Sequence, residues 1–161
     1  MKIMTIILII FSLAIACTKG GKLRGISGVQ YSVIAKASSK QLVPMIDTTS
    51  TATFTGLYDK ETNILTYTIT WNDLWRDTKK DTITAINFYG PAAATENGPL
   101  LRTLPYVNTN KAGSVNLGLA GNNGFTTDEQ AGFLSGAYYF TINTKRYAAG
   151  IVRGQLSVAE R

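Results

Sequence analysis

Residues 63–71 decide the fold, and they read Asn63-Ile-Leu-Thr-Tyr-Thr-Ile-Thr-Trp71. Leu65, Tyr67, Ile69 and Trp71 fall on one side of an extended chain, and threonines occupy the other side. This alternation of apolar or aromatic residues with β-branched threonines is typical of a β-strand with one buried face. The stretch therefore predicts a strand, and Trp71 is predicted to lie in the core.

Similar patterns occur on both sides of this strand. Residues 51–55 predict a preceding strand, and the polar stretch 58–63 between the two predicts a hairpin turn. The apolar pattern of a later segment slips between Ala85 and Ile86, which indicates a bulge or burial of both faces. The further predicted strands cover residues 81–89, 100–104, 114–119, 138–143 and 151–158.

One short helix interrupts the strands. In Thr126-Thr-Asp-Glu-Gln130, two Thr to Glu/Gln pairs have the spacing of a capping box, and Gly136 is predicted to end the helix. Roughly seven to nine predicted strands with glycine-rich turns indicate an all-β sandwich with Greek-key connections.

The composition excludes several kinds of site. The chain has 161 residues, 16 Lys and Arg against 10 Asp and Glu, one cysteine and no histidine. The absence of histidine excludes catalytic triads built on it and zinc sites that contain it, and a single cysteine excludes an internal disulfide. The basic residues are scattered, so nucleic acid is not a predicted partner, whereas a mild attraction to anionic lipid or polysaccharide is expected.

The N-terminus resembles a bacterial export signal with a lipid attachment site. Lys2 precedes an apolar run over residues 3–16, which is shorter than the roughly 20 residues of a membrane-spanning helix. Ala14-Ile-Ala-Cys17 resembles a lipobox, in which the cysteine is acylated and becomes the first residue. We expect a signal peptide over 1–16, a tether over 17–27 and a domain over 28–161. The residue after the cysteine is Thr18 rather than Asp, which favours the outer membrane of the bacterial envelope. The alternative interpretation of the apolar run is a buried N-terminal helix.

Several short phrases recur in a characteristic order along the domain. They are Gln41-Leu-Val-Pro44, Leu65-Thr-Tyr67, Asn87-Phe-Tyr-Gly-Pro-Ala92, Tyr139-Phe-Thr-Ile-Asn-Thr144 and Gly150-Ile-Val-Arg-Gly-Gln-Leu156. Their order resembles the CHRD domain, which is named after chordin and also occurs in bacterial secreted proteins. The resemblance implies an immunoglobulin-like or superoxide-dismutase-like β-sandwich, and it implies no defined activity.

The chain departs from the family pattern at positions where the family has ionisable residues. Asn87, Tyr89 and Asn143 stand where the family has histidine, and Ile151 stands where it has glutamate. An amide or a phenol is a poor substitute for imidazole as a ligand of a transition metal. We therefore expect neither a metal nor a cofactor in this chain.

The candidate binding residues are Asn87, Tyr89, Asn143, Arg153 and Trp75. The first four could form a polar cluster on one sheet surface. They would either hydrogen-bond loop backbone and fix the Gly90-Pro91 turn, or contact a ligand. Trp75 lies in a polar loop, where an aromatic ring could take a sugar or a peptide.

The main functional hypothesis is a non-catalytic, membrane-anchored envelope module with a structural role or a role in binding a protein or a glycan. No nucleophile motif is present, so no catalytic residue is predicted. One alternative is an envelope enzyme that uses carboxylates on glycans. Another is weak calcium binding at Asp73, Asp77 and Asp81, although this loop lacks the glycine and closing glutamate of an EF-hand.

Overall fold

The structure is a computed structural model that describes residues 28–74, 77, 81–104, 112–116 and 125–161. This part of the chain forms nine strands, one α-helix and a 3-10 turn over Ser39–Gln41. The helix α1 covers Thr127–Leu134. The strands are β1 Gln30–Ser38, β2 Thr51–Asp59, β3 Ile64–Asn72, β4 Ile83–Tyr89, β5 Leu100–Leu104, β6 Ala112–Asn116, β7 Tyr139–Thr144, β8 Val152–Gln155 and β9 Ser157–Glu160.

The strands form a curled antiparallel sheet with the order β5-β4-β7-β8-β1-β2-β3-β6, and β9 pairs with β1. Several neighbours are far apart in sequence, namely β4 with β7, β8 with β1 and β3 with β6. Such long connections distinguish a Greek-key arrangement from a simple meander. The prediction of an all-β sandwich with one short helix is confirmed.

The core lies where the two halves of the curled sheet face each other. Phe54 on β2 is fully buried, and its ring centroid lies 5.8 Å from that of Phe88 on β4 and 5.3 Å from that of Phe140 on β7. Burial of aromatic rings in tilted and edge-to-face contact supplies much of the stabilisation of such a core. Because β2 belongs to one half and β4 and β7 to the other, these rings join the two layers.

The predicted β2–β3 hairpin is present, with pairs running from Thr51–Asn72 to Asp59–Ile64. The Asp59 carboxylate accepts hydrogen bonds from two backbone amides of the turn, at 2.9 Å each, as turn-forming aspartates do. On β3, Leu65 and Ile69 are fully buried, while Trp71 is only partly buried against the core.

The irregularity predicted in the fourth strand has two physical causes. The register of β4 against β7 shifts between Ile83 and Ala85, next to the predicted slip. The residues Ile86, Asn87 and Phe88 are all buried, so both faces of this strand are covered. Both the bulge and the two-sided burial proposed from the pattern are therefore observed.

The last predicted strand is broken into two. β8 pairs with β7 on one side and with β1 on the other, whereas β9 pairs with β1, and Leu156 lies between the two strands. The pairing with β1 keeps one register across the break, from Ser38–Arg153 to Tyr31–Glu160, while the pairing with β7 ends at Gln155. The break lies in a continuous alternating pattern, which explains why the sequence predicts a single strand.

The helix begins and ends where the capping residues predict. The Thr126 hydroxyl accepts from the Glu129 amide at 3.2 Å, and the Glu129 carboxylate accepts from the Thr126 amide at 2.7 Å. Of the two predicted capping boxes, the one that begins at Thr126 is used. Gly136 follows the helix with φ +79°, a conformation that favours glycine. Among the described helices, none has the length and apolar character that crossing a membrane requires.

Strand β1 pairs with β8 at its end and with β9 nearer its start. Ser38 pairs with Arg153 of β8, whereas residues 31–34 pair with β9. The Arg161 amide donates to the Gln30 carbonyl at 3.0 Å, so the last residue lies beside the start of β1. The loop that begins after Ser38 emerges at the other end of the strand.

Candidate functional site

The sheet register brings the four predicted polar residues onto one face. Asn87 of β4 pairs with Thr141 of β7, and Thr141 pairs with Arg153 of β8. Tyr89 and Asn143 lie two residues away from this row, on β4 and β7 respectively. Because side chains two residues apart along a strand share a face, all four project from the same side.

This cluster is buried, unlike the open surface cluster that the sequence suggests. Asn87 is 8% exposed, Asn143 is 4% exposed and Arg153 is 1% exposed. Two loops cover them, one over residues 90–99 and one over residues 145–150, and both loops accept hydrogen bonds from the cluster. The sheet face at this end is therefore an interior between a strand layer and loops.

Arg153 fixes the loop that follows Gly90-Pro91. Its Nη2 donates to the Ala93 carbonyl at 2.9 Å, and its guanidinium carbon lies 3.6 Å from the centroid of the Tyr139 ring. A cation over an aromatic face is attracted to the ring electrons, most strongly when water is excluded. Burial lowers the pKa of Arg153 because a charged group loses hydration there. Of the two roles weighed for this residue, the structure shows the one in which it holds the loop.

Gln155 and Gly90 act on the same loop. The Gln155 side-chain amide donates to the carbonyls of Ala92 and Gly136, at 3.2 and 2.9 Å. Gly90 has φ +145°, and a Cβ placed there would lie 2.7 Å from the Tyr138 ring. Only glycine suits both the backbone angle and the close approach, which explains its place in the Asn87–Ala92 phrase.

Asn143 holds the second loop. Its amide nitrogen donates to the Ala148 carbonyl at 2.6 Å, and its oxygen accepts from the Thr141 hydroxyl at 2.6 Å. The Asn87 amide donates to the Tyr89 hydroxyl at 3.2 Å. Two buried atoms of the cluster, Asn87 Oδ1 and Arg153 Nη1, have no hydrogen-bond partner within the described part of the chain.

A pocket of about 470 Å³ opens between the two loops. Its size lies within the range typical of small-molecule sites, about 300–1,000 Å³. The described lining residues are mostly apolar or aromatic, and they contain no acidic side chain. They are Leu42, Val43, Pro44, Ile46, Tyr89, Asn97, Gly98, Tyr139, Thr141, Arg146, Tyr147, Ala148, Ala149 and Gly150.

Hydrogen bonds and ring stacking hold the pocket together. The Asn97 amide donates to the Val43 carbonyl at 2.7 Å, which ties the loop after β4 to the loop after β1. The Gly98 amide donates to the Tyr139 hydroxyl at 3.1 Å. The Tyr139 ring stacks on that of Tyr89, with centroids 5.2 Å apart and planes inclined by 11°. The pocket is thus formed by three segments that contact one another directly.

One ion pair lies at the pocket wall. Arg146 Nε lies 3.0 Å from Oδ1 of the buried Asp81, and its Nη2 lies 3.9 Å from Oδ2 of the half-exposed Asp77. These two carboxylates belong to the loop considered for calcium, and they face a cation. A calcium ion between them would have to displace the guanidinium. Within the described ranges, no group of three or more His, Cys, Asp or Glu side chains is placed to hold a metal.

The match to a family model covers residues 33–156, from β1 to Leu156 between β8 and β9, and the family is the one described as the CHRD domain. The chain belongs to the CHRD family. The match includes every element that forms the pocket and the buried cluster of this CHRD domain. No curated protein and no solved structure shows significant similarity to the chain.

At three positions this CHRD domain has neutral side chains where the family pattern has histidine. Asn87, Tyr89 and Asn143 lie on one face and are hydrogen-bonded to neighbouring side chains or to loop backbone. At these positions the chain has neutral groups that connect strands to loops. Whether the cluster also contacts a ligand stays a prediction.

Two predicted site residues, Cys17 and Trp75, lie outside the described residues, as do the signal peptide and the tether. Three residues of the pocket lining were not predicted as site residues, namely Tyr139, Thr141 and Tyr147. The first two stand in the phrase that carried the family resemblance, so the alternation of β7 could have pointed to them. Tyr147 lies in a loop without any periodic signal.

Proposed function

We propose that this CHRD protein is a non-catalytic binding module of the bacterial envelope, anchored by a lipid on Cys17 and located at the outer membrane. Its ligand would be a glycan or a protein segment, held in the pocket between the two loops. The observation that carries the binding role is the pocket of about 470 Å³, which has aromatic walls and lies where the family phrases converge.

The lining of the pocket favours binding over glycoside hydrolysis. Hydrolysis of a glycosidic bond generally uses two carboxyl groups on either side of the bond. The described lining residues include no Asp or Glu, and the nearby Asp81 is engaged with Arg146. Aromatic rings such as those of Tyr89 and Tyr147 instead offer flat apolar faces on which a sugar ring or an apolar side chain can pack.

Binding can be tested with two variants of the detergent-solubilised full chain. Tyr147→Ala removes part of the pocket wall, whereas Met45→Ala changes a side chain that is 73% exposed and does not line the pocket. We expect the affinity for purified cell-wall polysaccharide or its fragments to fall at least about ten-fold in Tyr147→Ala, which corresponds to about 1.4 kcal/mol. The affinity of Met45→Ala should stay unchanged. Equal affinities in all three proteins would contradict the proposed site.

The anchor needs its own test, because it does not depend on the pocket. Cells that produce the chain are labelled with radioactive palmitate, and the wild type is compared with Cys17→Ser. The proposal expects labelled wild type in the outer-membrane fraction and an unlabelled variant. Two acyl chains are enough for stable anchoring, since each buried CH₂ contributes about 0.8 kcal/mol. Labelling that persists in Cys17→Ser would exclude acylation at this residue.

A further inference from the structure

The charge on the wall of the pocket comes from one residue. Among the described lining residues, Arg146 is the charged one, and the remaining polar groups are amides, hydroxyls and backbone. The Arg146 side chain is 38% exposed, and it contacts the buried Asp81 on one side and lines the pocket on the other. The other wall residues would pack against an uncharged part of a ligand.

Two aspartates, Asp77 and Asp81, hold the Arg146 guanidinium in its orientation. The Asp81 carboxylate is 3% exposed and accepts from the Asp77 amide at 2.7 Å, so its position is set by the backbone. Both carboxylates lie on the Nε and Nη2 side of the guanidinium. Nη1 has no ion-pair partner within the described ranges. A guanidinium held on one edge keeps its other donors for a second anion, and its planar fork matches a carboxylate.

The aromatic and apolar lining of the pocket favours a ligand that contains a ring. Tyr89 and Tyr147 are each partly exposed, and Leu42 and Ile46 supply apolar contacts beside them. The ring carbons of a sugar can pack on such surfaces while its hydroxyl groups reach Asn97 or backbone groups. A ligand that satisfies the whole lining therefore combines a sugar ring with a carboxylate.

We infer that the pocket binds a uronic acid residue of an acidic polysaccharide, with the carboxylate on Arg146 and the ring against the tyrosines. This inference rests on the proposed binding function of the pocket and names its ligand class. The formal net charge of the chain, +6, favours approach of a polyanion over long distances.

The test uses a uronic acid trisaccharide and the same trisaccharide with its carboxyl groups reduced to alcohols. Titration calorimetry on the full chain should show at least about ten-fold tighter binding of the acidic form, about 1.4 kcal/mol, and the difference should shrink with added salt. Arg146→Gln should remove this preference, so that the acidic and neutral trisaccharides bind this variant with equal affinity. Lys145→Gln is the matched control, since Lys145 is adjacent, exposed and outside the pocket lining, and it should keep the preference.

Arg146→Gln removes one cation from beside the buried Asp81 carboxylate, which can destabilise the fold. The double variant Arg146→Gln/Asp81→Asn removes both charges and allows an amide pair, so it tests the same loss of preference in a folded protein. Circular dichroism confirms that each variant is folded before titration.

The outcomes separate this inference from the proposed function. Equal binding of the acidic and neutral trisaccharides, both weakened by Tyr147→Ala, would overturn the uronic acid assignment and keep the glycan-binding pocket. Failure of both to bind, with binding of a short peptide through its free C-terminal carboxylate, would replace the sugar with a peptide. Failure of all three probes would overturn the inference.

Discussion

Arg153 is a buried cation whose neighbours are a ring and a carbonyl, and replacing it with lysine tests that description. The substitution keeps the charge and the length, but it removes the planar group that lies 3.6 Å from the Tyr139 centroid. An ammonium can also lie over the ring, but it cannot stack flat on it, and a desolvated cation–π contact contributes about 2 kcal/mol, which sets the upper limit of this loss. An ammonium is more strongly hydrated than a guanidinium, so its burial adds to the penalty. We expect Arg153→Lys to lower the free energy of unfolding at pH 7 by about 2–4 kcal/mol.

The variant should also show a rise of stability with pH that the wild type lacks. Burial lowers the pKa of a lysine in the folded state, whereas in the unfolded state it stays near about 10.4. Between those two values the unfolded chain binds more protons, so stability rises with pH by up to about 1.4 kcal/mol per unit. Burial also lowers the pKa of Arg153 itself, but from a value so high that arginine stays charged over this range.

The assay is urea unfolding, followed by circular dichroism from about pH 7 to about pH 9.5. Arg153→Met removes the titratable group and should show the pH slope of the wild type, while Arg161→Lys controls for an exposed exchange of the same type. If Arg153→Lys and the wild type lose or gain stability in parallel over this range, the side chain at 153 is solvated. The account of a dry cluster under the loop would then be refuted.

Three further predictions concern the framework around the site. Gly154→Ala places a Cβ 2.8 Å from the Phe140 ring and 2.9 Å from the Ala37 Cβ. We expect this substitution to lower the free energy of unfolding, measured with urea, by about 1–3 kcal/mol. Ser157→Ala, at an exposed position, should leave it unchanged. Thr126→Ala removes the capping hydroxyl of α1 and should cost about 1 kcal/mol, with Thr126→Ser restoring most of it. Burial raises the pKa of the phenols of Tyr58, Tyr67 and Tyr138, so the folded chain keeps these protons to higher pH than the unfolded chain. The urea midpoint should therefore fall as the pH rises from about 9 to about 11. A constant midpoint would contradict the burial of these three residues.

The sequence was most informative where structure follows from local pattern. The alternation from Leu65 to Trp71 and the capping box at Thr126 depend on residues close together in the chain, and both elements form as predicted. The break at Leu156 was missed because the alternation and the register against β1 continue through it, and only the pairing with β7 ends there. The end of pairing on one side of a strand leaves no mark in a period-two pattern.

The site was predictable only in part, for a related reason. Asn87, Asn143 and Arg153 share a face because of strand register, and the alternation of each strand indicated that they could meet. Their burial could not be predicted, because it depends on loops whose contacts span long distances in sequence, such as the hydrogen bond from Asn97 to Val43. The pairing of Arg146 with Asp81 is of the same long-range kind.

If Cys17 carries a lipid, as proposed, strand β1 would set how far the pocket lies from the membrane. Its nine residues make eight steps of about 3.3 Å, so Gln30, beside which Arg161 lies, is about 26 Å from Ser38, after which the first pocket loop begins. The strand would then hold the pocket away from the bilayer, and Arg161 would lie at the end of the strand nearer the lipid. A fluorophore at Arg161 should therefore be quenched by lipid-borne acceptors more strongly than one placed at Met45.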